Sequence, residues 1–192
     1  MSRLEAALAA LDAIHAEDPE RVEVEGARVP AELDYARRMS AAIERVIDAP
    51  SDALRLAARA QHLARWRLAR ADYPATRAGY LAWRSAQGKA HAALAVATLR
   101  PLGVDEATLE RVASLVQKKG RARDPEAQAL EDAACLVFLD TGLAAFARGK
   151  DEGKVIDIVQ KTWAKMSERG RAEALALSLA PEARAIVERA LS

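Results

Sequence analysis

One segment of the 192-residue sequence, from Arg55 to Arg84, concentrates side chains that can bind an anion. Residues 1–50 contain 11 acidic and 6 basic residues, whereas residues 51–90 contain 2 acidic and 8 basic residues. Arginine binds phosphate through paired hydrogen bonds, and aromatic rings can stack on nucleobases. The segment therefore predicts a site for an anionic ligand, with contacts from Arg59, Arg65, Trp66, Arg77, Tyr80 and Arg84.

His62 lies inside this segment, in the motif QHLARW. On a helix over residues 53–66, alanine and leucine side chains share one face, which is the predicted core side. His62 lies almost opposite, grouped with Arg55, Arg59 and Arg65. Two interpretations fit this arrangement: a solvated basic face, or a surface that an anion occupies. The density of guanidinium groups around one imidazole favours the second.

A pair of acids, Glu131 and Asp132, precedes the apolar run from Ala133 to Leu139. Asp132 shares a helical stripe with Cys135, so it is expected to enter the core. A buried carboxylate needs a partner, because desolvating an unpaired charge is prohibitive. That partner could be an arginine in a structural pair, a histidine or a metal ion. Glu131 and Asp132 are the candidate catalytic residues, with Glu131 as general base or as support for the site.

His62, His91 and Asp132 lie on three separate predicted helices, about 30 and 40 residues apart along the sequence. Three histidine or carboxylate ligands plus water could hold a divalent metal ion. No pair has the close spacing of a HExxH or CxxC motif, so the spacing leaves the metal open. His91 also borders an apolar face, where a lone histidine is more often a hydrogen-bonded core residue than a ligand. His15 ends the first helix and is expected to interact with the helix dipole.

The composition favours an all-α fold. Alanine and leucine supply most of the hydrophobic residues, aromatic residues are only 4%, and no β-branched run alternates as a strand would. Ser2 and Glu5 form a predicted capping box at the first helix, and Pro125 suits the first turn of a later helix. The segment ERVEVEGARVP allows a small hairpin or loop. Since no long linker or repeat interrupts the helices, residues 1–192 are predicted to form a single compact helical domain.

Several classes of protein are disfavoured. The net charge of +1 gives no global argument for nucleic acid or membrane binding. Cys135 is the single cysteine, which excludes an internal disulfide and a four-thiolate zinc site. The N-terminus lacks a signal-peptide pattern, and no apolar run approaches the roughly 20 residues that span a bilayer. We therefore expect a cytoplasmic protein without a membrane partner; the sequence specifies no oligomeric state.

Five segments of the chain resemble a family of bacterial and fungal proteins of similar length that is classed as a domain of unknown function. The resemblance covers nearly the whole chain. Some members carry a glutamyl-tRNA-synthetase-like label, which we set aside because the chain shows no nucleotide-binding signature of a synthetase. The segments that carry the resemblance are AELDYARRM, LAARAQHLARW, YPATRAGYLAWR, DPEAQALEDAACLVFL and KTWAKMS.

A more distant similarity links the chain to the HD-type metal phosphohydrolases. It implies an HD-like core over about residues 31–148, with additional N-terminal helices and a C-terminal extension over about 151–192. Gln61-His62 stands where that superfamily has a His-Asp pair, His91 where a following histidine can stand, and Asp132 where its last aspartate stands. The first-histidine region has no histidine, so Glu32 or Asp34 would help to replace the missing metal ligands. Lys118-Lys119 occupies the region of a later histidine.

Two functions follow from these observations, and a purely structural helical adaptor is a third possibility that explains the helices but not the concentration of arginines. The first is a metal-dependent hydrolase of a phosphate-bearing small molecule, such as a nucleotide, in which His62, His91 and Asp132 hold a divalent ion. In that hydrolase, Arg65 and Arg77 clamp the phosphate and the metal lowers the pKa of bound water. The second is a binding module without catalysis, whose segment 55–84 holds an anionic ligand or single-stranded nucleic acid. Of the two ligand classes, a phosphate-bearing small molecule is expected rather than nucleic acid.

Overall fold

The chain is all-α, as the composition predicts. The structure, a computed structural model, describes residues 2–119 and 124–192. Its two short strands are β1 (Arg21–Val24) and β2 (Ala27–Pro30). The helices are α1 (Arg3–His15), α2 (Ala31–Val46), α3 (Asp52–Arg59), α4 (Arg77–Leu99), α5 (Glu106–Val116), α6 (Pro125–Val137), α7 (Leu143–Ala147), α8 (Glu152–Lys165), α9 (Glu168–Leu175) and α10 (Pro181–Leu191).

The predicted capping box at the N-terminus of α1 is confirmed. The Ser2 hydroxyl accepts a hydrogen bond from the Glu5 backbone N–H, and the Glu5 carboxylate accepts one from the Ser2 backbone N–H. This capping box satisfies two backbone donors that a helix start leaves unpaired. The predicted hairpin also forms: β1 and β2 pair antiparallel and are joined at Glu25-Gly26, where both residues have positive φ. The second strand leads directly into α2.

One continuous hydrophobic core connects the described helices. Helix α2 packs on α3 and α6, while α5 packs on α3 and α4. Fully buried side chains of this core include Met39, Ile43, Leu54, Leu99 and Leu130. Near the C-terminus, α10 packs on α8, and a segment of π-helix (Phe138–Gly142) joins α6 to α7. Among the described residues, no helix is both long enough and apolar enough to cross a bilayer.

Helix α3 ends at Arg59, which corrects the predicted helix that extends to Trp66. The backbone turns at His62 (φ 59°) and Ala64 (φ 54°), both in the left-handed region that a right-handed helix excludes. Two short 3₁₀ turns, Arg65–Arg67 and Arg70–Asp72, then lead to α4. The segment contains no glycine or proline that would indicate this break. As a result, His62 lies in a turn rather than on the outer face of a helix.

Helix α5 ends in a Schellman motif. The Lys118 backbone N–H donates to the Leu115 carbonyl, and the Lys119 N–H donates to the Ser114 carbonyl. Lys118 occupies the left-handed position, with φ 57°, that glycine usually takes in this motif. Lys118 therefore lies just beyond the end of α5, and its ammonium group reaches the Glu131 carboxylate of α6.

Candidate active-site cavity

A cavity of about 590 Å³ opens between α2, the turn after α3, α4 and the end of α5. This volume lies within the range of small-molecule sites. We call it the histidine cavity, because two of the chain's three histidines line it. Its lining residues are Tyr35, Gln61, His62, Arg65, Tyr80, Leu81, Trp83, Arg84, Ser85, Gln87, Gly88, His91, Val116, Gln117 and Lys118.

The charge on the cavity wall is of one sign. Arg65, Arg84 and Lys118 line it, and none of the described lining residues is an aspartate or glutamate. Lys118 is paired behind the wall with Glu131, at 3.1 Å between Nζ and Oε2. Arg84 has no carboxylate within 4 Å in residues 2–119 and 124–192, and its guanidinium lies 5.8 Å from the Tyr80 ring centre. A ligand that enters therefore meets cations first.

His62 is held from two sides. Its Nδ1 lies 3.1 Å from the Glu32 carboxylate, and its ring stacks on Tyr35 with centroids 4.3 Å apart and planes 7° from parallel. Burial lowers the pKa of His62, an effect that the hydrogen bond and charge of Glu32 oppose and that Arg65 and Lys118 reinforce. The imidazole is therefore neutral near pH 7 and fixed in orientation.

His91 lies deeper, with its ring centre 6.2 Å from that of His62. It is 5% exposed, and its Nε2 has no hydrogen-bond partner among the described residues. Burial, together with the neighbouring His62, lowers the pKa of His91 to about 3. The predicted core position is thus confirmed, but the ring is not satisfied, and an unpaired buried polar atom is costly.

Polar side chains of α4 fix the wall opposite α2. The Gln87 side-chain amide donates to the carbonyls of Arg65 and Leu68, and the Trp83 indole N–H also donates to Leu68. The Arg65 guanidinium lies over the Trp83 ring, 4.7 Å from its centre. These contacts tie the two 3₁₀ turns after α3 to α4, and so hold the arginine at the cavity.

Unusual backbone conformations cluster here. Five residues other than glycine have positive φ among those that the structure describes. His62 and Lys118 line the cavity, and Ala64 lies between His62 and Arg65, whereas Glu25 and Ala49 lie elsewhere. Left-handed conformations of this kind cost free energy and persist where the surroundings impose them, commonly at functional sites. The two strained turns present an imidazole and an ammonium group to one cavity.

The predicted ligand contacts divide into two groups. Arg65, Tyr80 and Arg84 line the cavity. Arg59 instead donates to Asp12 at 2.7 Å and to Ser40 at 2.9 Å, which ties α3 to α1 and α2. The other two, Trp66 and Arg77, are absent from the lining, and Arg77 is exposed in the first turn of α4. Residues that line or support the cavity without having been predicted as contacts are Tyr35, Trp83, Gln87 and Lys118.

Asp132 does not reach the histidine cavity. Its two carboxylate oxygens accept from the Ser167 backbone N–H at 2.9 Å and from the Ser167 hydroxyl at 2.6 Å. The Gln128 side-chain amide donates to it as well, at 3.0 Å. Asp132 is 1% exposed and lies against Gly170 of α9. Its partners are therefore a helix-capping serine and a glutamine, rather than an arginine, a histidine or the cavity.

Glu131 is buried behind the wall of the cavity. Besides Lys118, the Lys165 ammonium lies 3.9 Å from its carboxylate. The carboxylate thus contacts lysines of α8 and of the turn after α5, and Glu131 is not part of the cavity lining. Glu131 supports the site by holding the Lys118 side chain in place.

The donor set does not fit the metal centre that the sequence predicts. His62 and His91 face one another, but Glu32 is bound to His62 and Asp34 pairs with Arg38 at 2.7 Å. Within the described part of the chain, no group of three or more histidine, cysteine, aspartate or glutamate side chains is arranged to hold a metal ion. We therefore derive no chemical step through a metal, and the metal stays a prediction from sequence.

The comparisons with known proteins give one match. A family model described as a domain of unknown function (DUF4202) matches residues 5–187. No curated protein and no solved structure matches the chain. The geometry of the cavity is therefore the basis for inferring function, and the similarity to HD-type phosphohydrolases stays a prediction.

Proposed function

We propose, from the premise that this chain belongs to the DUF4202 family, that it binds a phosphate-bearing small molecule in the histidine cavity. The observation that carries the proposal is the lining: three cationic side chains and, among the described lining residues, no carboxylate. Arginine offers paired donors to phosphate oxygens, and lysine adds a compact positive charge. Arg84 and Lys118 are the proposed phosphate contacts, with Arg65 beside them.

The size of the site favours a small molecule over nucleic acid. The cationic groups surround a cavity rather than a long groove that could follow a strand. Outside it, several arginines of the basic segment are already engaged. Arg55 pairs with Glu44 at 2.9 Å and Arg67 with Glu17 at 2.8 Å. Arg70 donates to the backbone carbonyls of the loop before α4. The two ion pairs offset positive charge on the surface that a nucleic acid would need, and the hydrogen bonds of Arg70 occupy donors that could otherwise bind phosphate.

Titration calorimetry with inorganic phosphate, ribose 5-phosphate and a single-stranded oligonucleotide tests this proposal. The wild-type protein is expected to bind the phosphates at the cavity and to bind the oligonucleotide more weakly. Arg84→Ala should weaken phosphate binding by about tenfold or more, since it removes a charge-assisted contact. Arg77→Ala, two turns away on the same helix, is the matched control and should leave affinity unchanged. Equal losses in the two variants would contradict the assignment.

Hydrolysis of the bound phosphate ester is the second candidate function. The observation that favours it is that His62 and His91 both line the cavity with ring centres 6.2 Å apart, because phosphate binding by the cationic side chains does not need two imidazoles. Phosphate release from a panel of phosphomonoesters, with and without added Mg²⁺ or Mn²⁺, measures the activity. Turnover that is lost in His62→Asn and independent of the ion supports hydrolysis by protein groups. Turnover only with the ion would restore the metal-dependent hydrolase.

A further inference from the structure

We infer that Glu32 and His62 form a proton-accepting pair in the histidine cavity, with His62 as the general base and Glu32 as the residue that positions it. The inference rests on the proposed function, because the proton would come from water or a hydroxyl group beside the bound phosphate. It assigns chemistry to residues that the sequence suggested only as metal ligands.

The hydrogen bond fixes where the proton of His62 lies. An ionised carboxylate only accepts hydrogen bonds, so at 3.1 Å from Glu32 the Nδ1 of His62 must be the donor. A neutral imidazole carries one N–H, and its other nitrogen then has a free lone pair. His62 is therefore held as the tautomer in which Nδ1 is protonated and Nε2 can accept a proton.

The accepting nitrogen is the one that Glu32 leaves free. His62 lines the cavity and Glu32 does not, so Nε2 is the ring nitrogen that remains available to a ligand there. No hydrogen bond to His62 Nε2 occurs among the described residues, and it is not one of the side-chain nitrogens sealed from solvent. Among the described residues, the buried side-chain nitrogens that lack a hydrogen-bond partner are His15 Nδ1 and His91 Nε2. Of the three histidines, only His62 has both a tautomer fixed by a hydrogen bond and a second ring nitrogen that is accessible to a ligand.

Each contact of the ring suits this role. Stacking on Tyr35 and the left-handed backbone restrict the ring to one orientation, as a base needs. The Glu32 carboxylate can stabilise the imidazolium that forms on proton transfer. Arg65 and Lys118 line the same cavity as the ring and would hold the phosphate of a ligand beside it.

With water as the proton donor, this pair would hydrolyse a phosphate ester. A water O–H bond breaks as its proton passes to His62 Nε2, and the water oxygen forms a bond to phosphorus with the released electron pair. The ester P–O bond breaks, and its electron pair stays on the leaving oxygen. That oxygen takes the proton back from His62, which regenerates the neutral base. The products are an alcohol and inorganic phosphate, and no oxidant or cofactor is consumed.

Long-range ¹H–¹⁵N NMR of the full-length, ¹⁵N-labelled protein at pH 7 tests the pair directly, with His62→Gln to assign the signals. In the wild type, His62 is expected to show a protonated Nδ1 and an unprotonated Nε2. Glu32→Ala should reverse this, because a free imidazole prefers the proton on Nε2. Glu32→Gln keeps an oxygen acceptor, so it should preserve the tautomer and lower the pKa of His62. A residue that only supports the fold would not move the tautomer.

A wild-type His62 that carries its proton on Nε2, or on both nitrogens at pH 7, would overturn the inference. So would a tautomer that stays the same in Glu32→Ala. Titration of inorganic phosphate into the same sample separates this question from the proposed function. If the tautomer is as expected and phosphate fails to shift the Nε2 signal, the phosphate site is wrong while the pair stands. If phosphate shifts it and the tautomer is reversed, only the pair is wrong.

Discussion

Two of the regions in which this molecule buries polar side chains do so in opposite ways. At the α6–α9 junction, formed by Asp132, Gln128, Ser167 and Gly170, both oxygens of the buried carboxylate are hydrogen-bonded. In the histidine cavity, His91 Nε2 has no partner among the described residues, and strained turns hold His62 and Lys118. The junction is closed by the Cα of Gly170, whereas the cavity encloses about 590 Å³.

This difference distinguishes buried polar groups that stabilise the fold from buried polar groups that are available to a ligand. A buried carboxylate whose acceptor sites are filled stabilises the helices that fill them. A buried imidazole left unpaired beside an open cavity destabilises the empty protein, and a ligand can recover that cost. The sequence-based prediction places Asp132 and His91 in one metal centre. In the structure, Asp132 lies at the fully hydrogen-bonded junction and His91 lies in the cavity with an unpaired nitrogen. Mutations that affect stability in one region and binding in the other would sharpen the contrast.

The largest effect is expected at Asp132. Asp132→Ala removes the acceptor of three hydrogen bonds and should lower the free energy of unfolding by about 4 kcal/mol, because it leaves buried donors unpaired. Urea unfolding measures this loss, and Asp132→Asn, which keeps one oxygen, should lose less. Phosphate affinity of the folded fraction should be unchanged. A stable variant that no longer binds phosphate would instead place Asp132 in the functional site.

The next effect tests how tightly the junction is closed. In Gly170→Ala the new Cβ would lie 2.6 Å from Asp132 Cγ, so one of the two helices must shift. We expect a loss of about 3 kcal/mol in the free energy of unfolding, at the upper end of overpacking costs. Gly88→Ala on α4 is the control: its nearest neighbour would be 3.8 Å away, so the better helix former should stabilise. If both changes proved neutral, the junction would be looser than described.

His91 predicts how stability depends on pH. Its pKa in the folded protein is about 3, below its ordinary value of 6.5. Between pH 6.5 and pH 3 the unfolded chain therefore binds a proton that the folded protein does not, and the free energy of unfolding falls as the pH is lowered. From pH 7 to pH 5 this histidine should cost about 2 kcal/mol of the free energy of unfolding. Urea unfolding of His91→Gln, which cannot titrate, should show a loss smaller by that amount. Parallel pH curves for both proteins would refute the buried neutral state.

The smallest effect concerns the strained turn at the cavity. Ala64→Gly relieves a left-handed conformation but loosens the unfolded chain, so stability should change by less than about 1 kcal/mol. Ala49→Gly makes the same exchange at φ 49° outside the cavity and is the matched control. Phosphate affinity, measured by calorimetry, should fall only in Ala64→Gly, because the turn that carries His62 and Arg65 becomes mobile. A fall in both variants would show that the turn has no special role.

The sequence predicts the helices better than the site. The capping box at Ser2 and the first-turn Pro125 follow from local preferences, and the structure confirms them. The end of α3 could not be predicted, because no local signal marks it. The turn is stabilised by partners distant in sequence, among them Glu32, which binds His62, and Gln87, which binds the Arg65 carbonyl.

The candidate site shows the same limit. Charge patterning locates the basic segment, from which Arg65, Tyr80 and Arg84 reach the cavity. Periodicity cannot show that Arg59 is already paired with Asp12 of α1. Nor does it show that Lys118 turns into the cavity, because a lysine in the left-handed position of a Schellman motif is unusual for its residue type. Such pairings depend on tertiary contacts.

The most direct test of the central claim is a crystal structure of the protein soaked with tungstate, a heavy-atom analogue of phosphate. We expect anomalous density inside the histidine cavity, within contact distance of Arg84 and Lys118, that is absent from crystals of Arg84→Ala. Density at that position would establish the phosphate site and its distance from His62 Nε2. Tungstate bound only at surface arginines such as Arg77, with the cavity empty, would contradict the account.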